Sequence, residues 1–197
     1  TVGWNLSALY RADAWSFGVS YRSAATVGVT GDFSSPSLPV PGPLASRADL
    51  EIPSRLQVGV RYAYSDRLAV EADITRTGWS AFEGVQVQSQ LTGTTVVQTE
   101  DQWEDANAYR LGVTWQWSPA LQLRAGYSYD ETGQPDEHFS ARTPDADRQL
   151  FSAGFAYGLA EDWPLEGGYM YVLFDDRRIV STVDQSGTDP NGTSTLN

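Results

Sequence analysis

The stretch Arg55–Trp79, RLQVGVRYAYSDRLAVEADITRTGW, decides the fold because it alternates apolar and polar residues on both sides of a turn at positions 65–66. Successive side chains of a β-strand point to opposite faces, so this alternation predicts a β-hairpin with one apolar and one polar face. The polar face carries charges of both signs: Arg55, Arg61, Glu71 and Asp73. Such hairpins occur in soluble sheets that cover a core and in membrane barrels with lipid outside and water inside.

The same alternation recurs along most of the chain and predicts an antiparallel all-β fold of about eight strands without helices. The strand that begins at Trp15 is expected to continue to about Gly31. Four prolines between positions 36 and 43 predict a loop over Ser34–Ser46, because proline cannot donate to a strand ladder. We expect Thr92–Thr99 to leave the main sheet, and the polar tail from Asp184 to form a loop.

The connections between these strands alternate between short and long. They fall at positions 11–14, 31–52, 65–66, 78–107, 118–120, 130–148 and 160–164. Outer-membrane barrels show this rhythm, because their periplasmic turns are short and their external loops are long. Aromatic residues at strand ends on the apolar face are typical of an interfacial girdle: Trp15, Tyr62, Tyr64, Trp115, Trp117, Tyr127, Tyr129 and Tyr157. Both features favour a transmembrane β-barrel, although a soluble sandwich with an aromatic core remains an alternative.

Composition excludes several classes of function. The chain of 197 residues has a net charge of −12, which argues against nucleic-acid binding, since phosphate recognition needs clustered Lys and Arg. It has no cysteine, and therefore no disulfide framework or thiolate metal site. The single histidine, His138, lies in a polar loop without the pattern of a catalytic triad or a metal site. We therefore expect no enzyme activity, no metal and no cofactor.

The alternation of short and long connections also bears on whether residues 1–197 form a complete barrel. If the short turns are periplasmic, both ends of the chain lie outside the cell, whereas closed outer-membrane barrels keep their termini in the periplasm. We therefore expect residues 1–197 to be one partial barrel domain that lacks a final strand and an amino-terminal part. The alternative is that about eight strands close on themselves, which barrel geometry permits.

Five short stretches together resemble a known family. They are Gly3-Trp4-Asn5 leading to Tyr21-Arg22-Ser23; Ile52-Pro53; Glu71–Phe82; Trp103-Glu104-Asp105; and Pro144–Arg148 before Phe151–Gly154. Their order and spacing resemble the FadL-type outer-membrane transporters of long-chain fatty acids and other hydrophobic compounds. The resemblance covers most of the chain and corresponds to the carboxy-terminal half of the family without its last strand.

The resemblance implies a fold and a function. The expected fold is part of a fourteen-stranded barrel in the bacterial outer membrane, whose amino-terminal hatch domain is absent from this chain. The expected function is passive uptake of hydrophobic small molecules, with outer-membrane lipid and lipopolysaccharide as surroundings and a monomeric state. Two alternatives stay open: a small structural or adhesive barrel without a transport role, and a soluble β-sheet binding domain.

The resemblance also implies candidate ligand residues. In the family a lysine often stands between the Trp and Asp of the motif before one strand, where it can meet a carboxylate, whereas this chain has Glu104. An acid there would repel a fatty-acid head group unless an arginine offsets it. The candidate ligand-binding residues are therefore Arg22, Arg55, Trp103, Glu104 and Arg110. Alternatively, Glu104 is a solvated loop acid and the arginines pair with acids inside the barrel.

Overall fold

A computed structural model describes residues 2–34, 43–140, 143–160, 163–180 and 192–194. Its strands are β1 (Asn5–Ala12), β2 (Trp15–Arg22), β3 (Ala25–Phe33), β4 (Leu44–Ile52), β5 (Arg55–Ala63), β6 (Leu68–Thr77), β7 (Gln86–Ser89), β8 (Thr95–Gln98), β9 (Ala106–Gln116), β10 (Leu121–Asp130), β11 (Arg148–Ala160), β12 (Trp163–Phe174), β13 (Arg177–Ile179) and β14 (Gly192–Ser194). Two single-turn 3-10 helices, Trp79–Ala81 and Asp136–His138, lie in the connections. Within the described ranges, no helix is long and apolar enough to cross a membrane.

The main sheet has eight strands in the order β1-β2-β5-β6-β9-β10-β11-β12, and every neighbouring pair is antiparallel. The predicted all-β antiparallel fold is confirmed. The strands are 8 to 13 residues long, which brackets the roughly 9–11 residues that a tilted membrane-spanning strand needs. Strands β1 and β12 lie at opposite edges of the sheet and are not paired with each other in the described part of the chain. The eight strands therefore form an open wall, and the closed eight-stranded alternative is wrong.

The strand register keeps apolar side chains on one face through the middle of the sheet, from β2 to β9. Phe17 lies opposite Val60, and Val60 lies opposite Ala72. Apolar side chains in the middle of this face are open to the surroundings; Leu111, for example, is 61% exposed. A soluble sheet would bury such a face against a second layer. No second layer covers it among the residues described here, which is the arrangement expected of a lipid-facing wall.

Six of the eight aromatic residues expected at strand ends lie beside the short turns, whereas Tyr127 and Tyr129 lie at the long-connection end of β10. The rings of Trp15 and Tyr62, on neighbouring strands, lie 4.5 Å apart between centroids. Trp115 and Trp117, at the next short turn, lie 4.7 Å apart. Trp and Tyr combine an apolar ring with a polar atom, so a row of them at strand ends suits the boundary between lipid and water.

A second sheet extends two of the long connections. Its order is β3-β4-β7-β8, and it continues the β2 and β5 hairpin beyond short breaks at residues 23–24 and 53–54. The expected single strand over 15–31 is therefore wrong, because β2 ends at Arg22 and β3 pairs in a different sheet. The expected loop over 34–46 is wrong at its end, since β4 begins at Leu44, and positions 35–42 lie outside the described residues. The expected excursion over 92–99 is confirmed by β8.

The tail from Asp184 is not entirely loop. Strand β14 pairs antiparallel with β13, opposite Arg177–Ile179. The rest of the predicted tail loop, positions 184–191 and 195–197, lies outside the described residues.

A charge on the apolar face tests the lipid-facing assignment. Val58 lies on that face and is 51% exposed, whereas its neighbour Gln57 lies on the polar face and donates to Asp73. Val58→Arg should lower the free energy of unfolding in a bilayer by about 2–4 kcal/mol, because an arginine at the membrane midplane loses its hydration. The measurement is reversible unfolding by denaturant of the full-length protein in lipid vesicles.

The matched control is Gln57→Arg, which should change stability little because the new arginine faces water and Asp73. Equal losses in the two variants would contradict the assignment of the faces.

Candidate functional site

Arg110 is the centre of a charged network on the polar face. Its Nη1 donates to Asp73 Oδ1 at 3.1 Å and to Thr75 Oγ1 at 2.9 Å. Asp73 also accepts from Gln57 Nε2 at 3.1 Å. The charge of Arg110 is therefore compensated by a carboxylate on the neighbouring strand, in side chains that are only one quarter to one third exposed. This arrangement agrees with the alternative that arginines of the polar face pair with acids.

The network continues along the same face toward β11. Arg110 Nη2 lies 3.9 Å from Asp130 Oδ1, and Arg148 Nε lies 3.5 Å from Asp130 Oδ2. Ser128 Oγ donates to the same carboxylate. Asp130 thus links two arginines, so that charges of both signs on β6, β9, β10 and β11 hold one another in place.

Arg22 and Arg55 form a different kind of pair. They lie directly opposite each other in the ladder between β2 and β5, on the polar face. Both are exposed, and neither makes an ion pair within the described residues. Two uncompensated guanidinium groups on neighbouring strands create a local positive potential, which favours an anion such as a carboxylate.

Trp103 and Glu104 lie in the connection just before β9. The ring of Trp103 packs against Trp79 and Phe82, with centroid distances of 4.9 and 5.5 Å. The backbone N–H of Glu104 donates to Gly133 O at 2.7 Å, while the Glu104 side chain is exposed. The motif therefore anchors the connection through its tryptophan and its backbone.

Asp105, the third residue of this motif, fixes the preceding turn. Its Oδ1 accepts from the backbone N–H of Ser80 at 3.1 Å, and its Oδ2 lies 3.0 Å from Arg76 Nη2. The hydrogen bonds from Ser80, followed by the nearby charge of Arg76, lower the pKa of Asp105 below its usual value. Asp105 is thus held as the anion that this turn requires.

The five sequence-predicted residues do not form one cluster. Arg22 ends β2, Arg55 begins β5, and Trp103 and Glu104 precede β9, so these four lie at the end of the sheet that carries the long connections. Arg110 lies deeper, at the fifth position of β9. Arg22 and Arg55 lie next to each other on neighbouring strands. Arg110 forms ion pairs with Asp73 and Asp130 instead.

A polar cavity of about 860 Å³ opens beside Trp103 at the long-connection end. The polar face of β4, β7 and β8 forms one wall, where Arg47 Nη2 donates to Gln88 Oε1 at 3.0 Å. Its lining includes one arginine and four carboxylates: Arg47, Asp49, Glu51, Glu83 and Glu100. Carboxylates outnumber the cation, so the potential in this cavity repels anions.

Gly84 positions the segment that returns from this cavity to the main sheet. Its φ is +152°, and a Cβ at that position would clash with Thr99 O. Only glycine permits this close approach of two backbone segments.

A groove of about 710 Å³ lies on the polar face farther along the sheet, where glycines on neighbouring strands carry no side chain. Gly112 lies opposite Gly126, and Gly154 lies opposite Gly168. Toward β12 this face becomes apolar: Leu150, Met170, Val172 and Phe174. The alternating pattern does not predict these residues, because on β12 it places only the opposite face, Leu165 to Leu173, as apolar. The sequence does carry a signal for a strand that is apolar on both faces, because residues 169–174, YMYVLF, are apolar without alternation.

Comparison with known proteins identifies the family. The family described as "Outer membrane protein transport protein (OMPP1/FadL/TodX)" matches residues 1–196. A long-chain fatty acid transport protein of Escherichia coli K12 is 26% identical over 184 residues, covering 86% of this chain and 41% of its own length. Outer membrane protein P1 of Haemophilus influenzae is 26% identical over 174 residues, covering 86% of this chain and 37% of its own length. The chain thus spans about two fifths of the length of such relatives.

Solved structures share the fold. A crystal structure of a Pseudomonas aeruginosa FadL homologue superposes with a TM-score of 0.81 at 20% identity, covering 90% of this chain and 45% of that one. The Pseudomonas putida toluene transporter TodX superposes with a TM-score of 0.56 at 23% identity, covering 90% and 44%. The eight-stranded sheet is therefore part of a barrel wall, and the matched relatives are named as transport proteins and channels rather than as enzymes.

The Arg110 network has a measurable structural role. Arg110→Met should lower the free energy of unfolding by about 1 kcal/mol, because Asp73 and Asp130 lose a partly exposed cationic partner. Adding Asp73→Asn should cost less in the Arg110→Met background than in the wild type, because the two side chains form one network. Equilibrium unfolding of the two single variants and the double variant gives this coupling energy. Strictly additive losses would show that the pair is not coupled.

Proposed function

We propose, because the chain belongs to the outer membrane protein transport protein family (OMPP1/FadL/TodX), that it forms part of a monomeric channel for passive uptake of hydrophobic small molecules. Membership places it in the outer membrane and excludes the soluble domain that the sequence pattern left open. The proposal includes an amino-terminal hatch domain and a final strand outside residues 1–197, as the resemblance implies.

The groove on the polar face is the observation that carries the proposal. Its lining combines the facing glycines Gly154 and Gly168 with the apolar side chain of Met170, next to charged side chains that include Arg110. A wall that only enclosed water would not need an apolar side chain at this place on its inner face. An apolar chain in such a groove would gain about 0.8 kcal/mol for each methylene removed from water, which favours its entry from water, while the concentration gradient drives net uptake.

Long-chain fatty acids are the proposed ligands, and the Arg22–Arg55 pair is the proposed carboxylate site. A fatty-acid carboxylate needs an arginine to offset Glu104, and Arg110 is already compensated by Asp73 and Asp130. Arg22 and Arg55 have no such partner in the described ranges, so their positive potential remains available. A carboxylate bound between two guanidinium groups forms charge-assisted hydrogen bonds, which are stronger than neutral ones.

A neutral hydrocarbon is the second candidate ligand. The acidic lining of the cavity beside Trp103 and the exposed Glu104 both disfavour a carboxylate at that entrance. A neutral ligand would not be repelled by the negative potential of this cavity. The two candidates differ in their dependence on Arg22 and Arg55.

The double variant Arg22→Gln/Arg55→Gln distinguishes them. It should reduce the apparent affinity for oleate about tenfold, since charge-assisted hydrogen bonds are lost, and leave toluene uptake unchanged. Uptake of labelled oleate and labelled toluene is measured with the full-length protein in an outer membrane that lacks its own transporter.

Arg11→Gln is the control, because Arg11 is an exposed arginine on the same face at the short-turn end of β1. Wild-type uptake of toluene alone would replace the fatty-acid assignment with a neutral-hydrocarbon channel. Uptake of neither compound by a correctly inserted barrel would support the structural or adhesive alternative.

A further inference from the structure

One row of residues crosses the groove on the polar face from a charged end to an apolar end. Its members lie opposite one another on the neighbouring strands β6, β9, β10, β11 and β12: Glu71, Gly112, Gly126, Ser152 and Met170. All of them line the groove of about 710 Å³. Neighbouring strands lie about 4.8 Å apart, so the row is roughly 19 Å long. The groove therefore has room for an extended amphiphile whose two ends differ in polarity.

The side chain of Glu71 leans into this row and has no protein partner there. A Cβ at Gly112 would lie 2.9 Å from Glu71 Oε1, so the carboxylate lies over the backbone of β9. Arg61 lies directly opposite Glu71 on β5, but the two do not form an ion pair. No other group within the described ranges donates a hydrogen bond to this carboxylate. Glu71 thus presents an unpaired acceptor to the groove.

Ser152 leans into the row from the other side and also offers an acceptor. Its Oγ donates to Gly126 O at 3.3 Å, and a Cβ at Gly126 would lie 2.8 Å from that Oγ. Because its one hydrogen is used by Gly126, the hydroxyl can only accept from a ligand. The two side chains that cover the glycines, Glu71 and Ser152, therefore both require a ligand that donates.

The arginines that line the groove are already paired. Arg110 lies 3.1 Å from Asp73 Oδ1, and Arg124 Nε donates to Gln122 Oε1 at 2.7 Å. Neither is within ion-pair distance of Glu71, whose negative charge therefore acts on whatever enters the groove. This charge repels a carboxylate and strengthens a hydrogen bond from a head group that donates one.

The opposite end of the row is apolar. Beside Met170 on the same face lie Leu150 and Val172, which face each other across β11 and β12. A hydrocarbon tail that extends from Glu71 toward Met170 would leave water at this end, with a gain of about 0.8 kcal/mol for each buried methylene. The polarity of the row thus sets the direction in which an amphiphile lies.

We propose that this row binds a long-chain alcohol, with the hydroxyl head at Glu71 and Ser152 and the tail toward Met170. The inference rests on the proposed channel function and deepens it, because it names a ligand class for the groove. Glu71 is the residue that determines specificity: it holds a hydroxyl and excludes a carboxylate, which is left to Arg22 and Arg55.

Dodecanol, dodecyl methyl ether and dodecanoate are matched probes, since they share one chain and differ in the head group. Binding of each labelled compound is measured with the full-length protein in lipid nanodiscs, with empty nanodiscs as the blank. The Arg22→Gln/Arg55→Gln background removes the proposed carboxylate site. In this background, Glu71→Gln should raise the Kd of dodecanol about tenfold, because a charge-assisted hydrogen bond becomes a neutral one. The Kd of dodecanoate should fall about tenfold, because the repulsion is removed, and that of the methyl ether should not change.

Asp66→Asn is the control for the loss of one negative charge. Asp66 is an exposed carboxylate in the turn of the same hairpin, outside the groove, so its replacement should leave all three Kd values unchanged. Met170→Gln tests the other end of the row. It should raise the Kd of both dodecanol and the methyl ether several-fold, because the tail loses an apolar contact.

Opposite shifts for dodecanol and dodecanoate in Glu71→Gln would support the inference, because a folding defect weakens both. Unchanged Kd values, or equal losses for dodecanol and the methyl ether, would overturn it while the proposed channel function would stand. Wild-type protein that takes up oleate but binds no dodecanol would have the same meaning. Wild-type protein that binds none of the three probes would overturn both.

Discussion

The continuous ladder of backbone hydrogen bonds between antiparallel strands is the interaction on which the structure depends. Lipid offers no partner for a backbone N–H or C=O, so every such group in a membrane wall must pair within the protein. The eight-stranded ladder meets this requirement from β1 to β12 apart from the outer edges of these two strands, and its register keeps most apolar side chains of β2, β5, β6 and β9 on one face. Once the ladder exists, the opposite face can carry charges, glycines and cavities without exposing them to lipid.

Charges on the polar face are balanced in the middle of the wall and unbalanced toward the long-connection end. Arg110 and Arg148 share Asp130, and Asp73 holds Arg110 from the other side. The uncompensated groups lie elsewhere: the Arg22–Arg55 pair at the strand ends and the carboxylates around the cavity beside Trp103. The ion pairs in the middle of the wall hold β6, β9, β10 and β11 together, whereas the Arg22–Arg55 pair and the carboxylates around the cavity have no such partner within the described residues.

Apolar surface is distributed in a second pattern that bears on transport. Strand β12 is apolar on both faces over its last residues, with Tyr169 and Tyr171 on one face and Met170 and Val172 on the other. A strand of this kind must meet lipid on one side and an apolar molecule or segment on the other. Together with the facing glycines Gly154 and Gly168, this leaves an open groove with an apolar side on the inner face of the wall.

The sequence by itself determined the strands, their two faces and the alternation of short turns with long connections, because a period of two in side-chain polarity is a local property. It also identified Arg22, Arg55 and Arg110 as candidate ligand-binding residues, but it did not show that Arg110 is ion-paired while Arg22 and Arg55 are not. The alternation falters only at Ser23-Ala24 and resumes in the same phase from Ala25, so only the tertiary structure shows that β3 pairs in a second sheet. In the same way, only the tertiary structure shows that Asp73 compensates the charge of Arg110, whereas no described residue compensates that of Arg22. It alone shows that the side-chain amide of Gln134 is buried without a hydrogen-bond partner among the described residues. Pairing and burial depend on residues far apart in the chain, and local polarity does not record them.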